Sequence, residues 1–200
     1  DKIKIIEESL YEKLLNKLQD YLVTLKIASN EISFLDCLWS FSFSAKKYNY
    51  VCPKFVEENS IFIQEGRHPV IEQVMSKDSS YVPNTIKLND KDQQLIMITG
   101  PNMSGKSALL RQTALITIIG QMGSYVPAQS VEMGIVDKIF TRVGASDNIS
   151  KGASTFMVEM NESATILNNI TKQSLVLLDE IGRGTSTYDG ISIAWAIAQF

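Results

Sequence analysis

The chain has 200 residues, of which 44% are hydrophobic and 20% are charged, with a formal net charge of -3. Such a chain is long enough to bury a core, and its composition excludes disordered and fibrous classes. The small negative charge excludes a general basic surface for nucleic acid, so we expect any DNA contact to lie elsewhere in a longer protein. Two cysteines and one histidine are too few for a four-ligand zinc site or a disulfide framework.

The first 52 residues contain no glycine or proline and carry seven basic and seven acidic side chains. Large apolar residues recur there every three or four positions, which predicts one or two long helices. This stripe consists of Ile3, Ile6, Leu10, Leu14, Leu18, Leu22 and Leu25. We therefore expect a helical scaffold over residues 1–52 and a second domain over residues 53–200.

After Pro53 the chain alternates short apolar runs with glycine, proline, asparagine and aspartate. The runs predict strands, and the helical patterns between them make the alternation typical of an α/β fold. The predicted strands are residues 61–63, 95–98, 136–141 and 175–178, and the predicted helices are residues 107–119, 155–170 and 190–200. Two of the strands are continuously apolar, which indicates burial on both faces of a parallel sheet.

Residues 100–107 read G-P-N-M-S-G-K-S and fit the phosphate-binding pattern G-x-x-x-x-G-K-[ST]. In such a loop main-chain N–H groups face an anion, and the following helix adds its positive N-terminus. A tight turn that merely needs glycine is the alternative. The predicted nucleotide-binding residues are Gly100, Pro101, Asn102, Met103, Ser104, Gly105, Lys106 and Ser107. Lys106 is expected to reach the β- and γ-phosphates, and Ser107 to hold Mg²⁺.

Two carboxylates, Asp179 and Glu180, follow the apolar run at residues 175–178. A buried strand that ends in this way places both acids at the carboxyl edge of the sheet, where open α/β folds bind ligands. We expect Asp179 to hold Mg²⁺. Glu180 and Lys106 are the predicted catalytic residues, with Glu180 orienting or deprotonating the attacking water. An exposed acidic turn is the plainer interpretation of this pair when it is taken alone.

Together, three segments resemble the ATPase domain of the DNA mismatch-repair MutS family. They are residues 99–107, residues 154–160 (S-T-F-M-V-E-M) and residues 179–190 (D-E-I-G-R-G-T-S-T-Y-D-G). The resemblance covers about residues 53–200, and residues 1–52 resemble the end of that family's helical lever. It implies an α/β fold, a P-loop NTPase of ABC-like type with a mainly parallel sheet, preceded by long helices from the lever region and truncated at its C-terminus.

The resemblance also implies sites outside the two motifs. ATPases of this family work as dimers in which a loop of one subunit completes the nucleotide site of the other. The corresponding residues here are Ser150, Gly152, Ser154 and Thr155. Ser154 would face the partner's γ-phosphate, and helix capping is its alternative role.

Further single residues match family positions. Tyr81, followed by Val82, matches the aromatic on which adenine stacks, with a loop aromatic packed on the core as the plainer interpretation. Asp189 is the expected polar link between subunits. His68 lies in a recurrent family segment, G-R-H-P, and we assign it no chemistry because a histidine before a proline is more often a structural hydrogen-bonding group.

The function implied is that of an ATP-binding and hydrolysing domain whose dimer controls the grip of a recognition protein on mispaired DNA, with ATP or ADP and Mg²⁺ as cofactors. The implied partners are a second copy or a related MutS-type subunit, mismatched double-stranded DNA through domains absent from this chain, and a downstream factor of the MutL type. We expect no membrane contact, a location in the bacterial cytosol or nucleoid, and weak or no activity of the isolated chain. Alternatives are a MutS-like ATPase in recombination, another ABC-type machine, and a nucleotide-gated assembly module with little hydrolysis.

Overall fold

The computed structural model describes residues 2–76, 80–101, 104–143, 155–182 and 184–200. The chain divides into two compact units, one spanning Asp1–Ser44 and the other Ala45–Phe200. Among the described helices, none combines the length and the apolar character needed to cross a lipid bilayer.

The first unit is helical. Helix α1 covers Lys2–Gln19, and helix α2 covers Leu22–Tyr48, so the last residues of α2 belong to the second unit. These long helices confirm the prediction from the apolar spacing. The stripe itself lies exposed within the described chain, as Leu10 (61% exposed) and Leu14 (54%) illustrate.

The second unit contains two sheets and four helices in its described part. The larger sheet has the strand order β1-β4-β2-β3, and β5 pairs with β6 in a separate two-stranded sheet. The strands are β1 Lys54–Phe55, β2 Ser60–Gly66, β3 Asn84–Asn89, β4 Ser130–Met133, β5 Ile139–Arg142 and β6 Leu175–Leu178. The helices are α3 Ile71–Val74, α4 Lys106–Gln121, α5 Thr155–Asn169 and α6 Thr187–Gln199. The predicted helices beginning near residues 107, 155 and 190 are thereby confirmed.

The predicted fold class, a P-loop NTPase of ABC-like type with a mainly parallel sheet, is wrong for the described residues. Strand β2 pairs antiparallel with both β3 and β4, and parallel pairing is confined to β1 with β4 and to β5 with β6. The physical reason is that β3 and β4 alternate apolar and polar residues, as strands with one solvated face do. The architecture is a mixed sheet beside a separate parallel pair.

The predicted strand at residues 95–98 is also wrong, because this described segment has no strand structure. Leu95 is 55% exposed and Met97 is 72% exposed, while Ile96 packs against the core. A short apolar run does not indicate which strand it would pair with. The sequence pattern therefore could not show that residues 95–98 lack a neighbouring strand.

The core of the second unit forms where α4 packs on the larger sheet. Ile63 of β2, Ile116 of α4 and Met133 of β4 are all fully buried. In β2 the inward residues alternate with outward ones, so Ile63 is 0% exposed while its neighbour Phe62 is 37% exposed. The inward-facing side chains of β2, an inner strand of the larger sheet, therefore belong to the hydrophobic core.

We predict that Ile63→Ala lowers the free energy of unfolding by about 2–5 kcal/mol, because it removes buried methyl groups and leaves a cavity. Phe62→Ala, one position along on the outward face, is the matched control and should cost less despite the larger side chain removed. Urea denaturation of the 200-residue chain measures both values. An equal or larger loss for Phe62→Ala would contradict the assigned facing of β2.

Candidate functional site

The two sequence motifs meet in a hydrogen bond. The hydroxyl of Ser107, in the first turn of α4, donates to Oδ2 of Asp179, which follows β6 and lies 72 positions away in the chain. Asp179 is only 8% exposed, and its main-chain N–H donates to the carbonyl of Arg142 at 2.7 Å. The parallel pairing of β5 with β6 thus extends one residue further and fixes the carboxylate beside the start of α4.

The loop before α4 surrounds the lysine of the motif. Gly105 is the N-cap of α4 and has φ = 91°, a left-handed conformation that favours glycine. The ammonium of Lys106 donates to the carbonyls of Gly100 at 2.7 Å and Pro101 at 2.9 Å. Because an ammonium has three donors, one further donor is left for an incoming anion even with both carbonyls engaged.

The contact between Ser107 and Asp179 fits a magnesium ion. Mg²⁺ prefers hard oxygen ligands, and it commonly takes one or two protein oxygens together with water and substrate phosphates. A hydroxyl and a buried carboxylate that already touch each other provide such a pair. No group of three or more His, Cys, Asp or Glu side chains that could hold a metal occurs within the described ranges. A cation here would therefore depend on phosphate and water for its remaining ligands.

Glu180 lies on the solvent side of the same turn. Its side chain is exposed, and its backbone has φ = 57°, a left-handed conformation that is uncommon for a residue other than glycine. Such a conformation costs about 1–3 kcal/mol and persists only where the surrounding structure enforces it. The turn after β6 consequently directs Asp179 inward and Glu180 outward.

The segment after Glu180 folds tightly onto the start of α6. Gly182 has φ = 86°, and a Cβ atom placed on it would lie 2.6 Å from the Cα of Gly190. Ser186 is the N-cap of α6, and its hydroxyl lies 2.7 Å from Oδ2 of Asp189. The structure thus places Asp189, the predicted link between subunits, in a capping interaction of its own helix.

Tyr81 is anchored to the interior through its hydroxyl. That group donates to Oε1 of Gln112 at 2.7 Å, and Gln112 is a fully buried residue of α4. Burial raises the pKa of Tyr81, so the phenol stays protonated and remains a donor. The neighbouring Val82 is 77% exposed, and its carbonyl accepts from the Asn84 side chain. Tyr81 is therefore tied to the helix that begins at Lys106.

His68 has a structural role in this geometry. It is 6% exposed, and its Nδ1 accepts from the main-chain N–H groups of Val70 and Ile71, each at 3.3 Å. Burial lowers the pKa of His68 below its ordinary value, and the positive charge of Arg111 lowers it further. The imidazole is neutral near pH 7, with Nδ1 acting as an acceptor.

Several predicted site residues lie outside the described part of the chain. They are Asn102, Met103, Ser150, Gly152 and Ser154. Thr155 is the first residue of α5, and only its backbone is described. Ser104 is exposed and its N–H donates to the carbonyl of Pro101 at 3.3 Å. The described part of the site is therefore the Ser107–Asp179 contact with the loop and turn on either side of it.

Two polar residues beside the site were missed by the sequence analysis. Gln112, which holds Tyr81, is 0% exposed, and Glu159 of α5 is 3% exposed. Glu159 accepts a hydrogen bond from the main-chain N–H of Gly182. The sequence carries no signal for Glu159, because it and Ser163 are polar; the structure places both on the buried face of α5 with Ile166.

Comparison with known proteins gives a consistent set of relatives. The family model described as MutS domain V matches residues 96–200. The DNA mismatch repair protein MutS of Flavobacterium psychrophilum is 62% identical, that of Flavobacterium johnsoniae 61% and that of Bacteroides fragilis 57%, each over 200 residues. Each match covers 100% of this chain and 23% of the relative, so the chain spans about a quarter of the length of these curated relatives.

We predict that the free energy of unfolding falls as the pH drops below about 6.5, the ordinary histidine pKa. The folded state lowers the pKa of His68, so the unfolded chain binds the proton first and the stabilisation present above pH 6.5 is lost as the pH falls towards the folded-state pKa. Denaturation curves measured between about pH 7.5 and 5.5 give the slope.

The matched control is His68→Asn, whose side-chain oxygen can still accept from the two N–H groups but does not titrate. Its stability should change less over the same range. An unchanged pH slope in His68→Asn would assign the effect to other groups.

Proposed function

Because this chain belongs to the MutS family, and its residues 96–200 match domain V of that family, we propose that it binds and hydrolyses ATP within a DNA mismatch-repair protein. The observation that carries the proposal is the hydrogen bond between Ser107 and Asp179. It joins the end of a phosphate-binding sequence pattern to the first of two consecutive carboxylates. A hydroxyl and a carboxylate are the groups that hold Mg²⁺ in sites for magnesium nucleotides.

The loop at residues 100–107 would hold the phosphates. Gly100, Asn102, Met103, Ser104 and Gly105 would bring main-chain N–H groups to the anion, at the positive N-terminus of α4. Pro101 has no N–H, and its fixed φ would shape the loop instead. Lys106 lies over this loop, with its ammonium 2.7 Å from the Gly100 carbonyl. A bound phosphate would offer that ammonium a charged acceptor, which makes a stronger hydrogen bond than a neutral carbonyl.

Hydrolysis would rest on positioning and charge. Ser107 and Asp179 would hold Mg²⁺, which when bound neutralises the charge on the phosphates. Glu180, directed outward from the same turn, would accept a proton from the attacking water or orient it. Tyr81 would stack on the adenine, with its ring held in place by the hydrogen bond to Gln112, and Val82 would lie beside it.

The remaining partners are proposals based on the resemblance to the family. We propose that a second copy or a related MutS-type subunit completes the site with Ser150, Gly152, Ser154 and Thr155, and that Asp189 links the subunits. Mismatched DNA would be bound by the parts of the protein outside this chain, and a factor of the MutL type would act downstream. We place the protein in the bacterial cytosol or nucleoid and expect little turnover by the 200-residue chain alone.

We predict that Glu180→Gln lowers the steady-state ATPase rate of the full-length protein by about 10²- to 10⁴-fold while ATP still binds, because the amide cannot accept the proton. Glu65→Gln is the matched control, since Glu65 is another exposed glutamate with a left-handed backbone, φ = 47°. Turnover is measured by phosphate release and binding by titration.

Two results would go against the proposal. An unchanged rate in Glu180→Gln would remove Glu180 from the mechanism. A wild-type protein that binds ATP without hydrolysing it would favour a nucleotide-gated assembly module.

A further inference from the structure

The turn that carries Glu180 is held from a neighbouring helix. The main-chain N–H of Gly182, two residues after Glu180, donates to Oε1 of Glu159 in α5. Glu159 is 3% exposed, so the acceptor is buried, while the donor Gly182 is half-buried. A buried carboxylate acceptor makes a stronger bond than a neutral one, and a buried N–H without a partner is costly.

A second contact joins the same two segments. A Cβ atom placed on Gly184 would lie 2.9 Å from the Cα and Cβ atoms of Phe156, so the first turn of α5 packs directly against the chain after Glu180. Phe156 and Glu159 lie three residues apart and therefore face the same side of α5. The turn is fixed to this helix at two places, one polar and one steric.

We infer that Glu159 is a positioning residue for Glu180, an inference that rests on the proposed function. By accepting from Gly182, its carboxylate holds the chain in the path that gives Glu180 its left-handed conformation and outward direction. Helix α5 begins at Thr155, directly after the residues proposed to reach the partner's nucleotide. Within the described chain, Glu159 links α5 to the turn that carries Glu180.

Steady-state and binding measurements on the full-length protein test this role. Glu159→Ala should lower kcat by about 10- to 100-fold, as expected for a displaced catalytic group, with the ATP Kd unchanged. Glu159→Gln keeps the Oε1 acceptor and should retain most of the rate. Asn161→Ala truncates an exposed polar side chain of the same helix and should leave kcat at the wild-type value.

A double variant separates positioning from a general loss of stability. Glu159→Ala combined with Glu180→Gln should be no slower than Glu180→Gln alone. If Glu159 acts only by positioning the Glu180 carboxylate, its loss has no further effect once that carboxylate has been removed. Multiplied losses would overturn the inference.

Hydrogen exchange of the wild-type protein supplies a measurement that does not depend on the variants folding. The Gly182 amide should exchange at least about tenfold more slowly than exposed turn amides, since it is half-buried and donates to a carboxylate that is itself buried. Fast exchange would overturn the inference, as would a wild-type kcat in Glu159→Ala. If Glu180→Gln leaves the ATPase rate unchanged, the proposed role of Glu180 is wrong, and the role of Glu159 is wrong with it. If Glu180→Gln lowers the rate but Glu159→Ala does not, only the role of Glu159 is refuted.

Discussion

A carboxylate buried at the end of a strand must find hydrogen bonds to replace the water it has lost. Asp179 is in this position, because β6 carries it into the interior beside the first turn of α4. Its main-chain N–H is satisfied by Arg142, and its side chain is satisfied by Ser107. The site depends on this arrangement, since it brings together two parts of the chain that are 72 positions apart.

The path of the chain after Asp179 is constrained by that hydrogen bond. With Asp179 turned inward, the next residue must turn outward, and Glu180 does so at the cost of a left-handed backbone. The chain then returns towards α5 and α6, where the close approach of Gly182 and Gly190 leaves no room for a side chain at either position. Glu159 of α5 accepts from the Gly182 N–H in this return, and Ser186 accepts from the Asp189 N–H in the first turn of α6.

The sequence specified the local elements well, because each carries its own signal. The apolar run of β6 and the helical spacing of α4 and α5 are local patterns, and the structure has all three elements. The mixed larger sheet was not predictable in this way. Ile63 pairs with Ile86 on one side and with Val131 on the other, and these pairings over long sequence distances have no counterpart in a local pattern.

The site shows the same division between local and long-range information. The glycine loop and the two consecutive carboxylates were predicted from spacing alone, and the structure brings Ser107 of the first segment into contact with Asp179 of the second. The supporting residues Gln112 and Glu159 were not identified, because a polar residue inside a helical pattern gives no sign of its partner. Their roles depend on Tyr81 and Gly182, which reach them only in the folded chain.

Titration of ATP with and without Mg²⁺, in the wild-type protein and in Asp179→Asn, tests the central claim most directly. The account predicts that Mg²⁺ strengthens ATP binding by the wild type and loses most of this effect in Asp179→Asn, which keeps the shape of the side chain but not its charge. Equal dependence on Mg²⁺ in both proteins, or no ATP binding by the wild type, would contradict the claim that Ser107 and Asp179 form a magnesium nucleotide site.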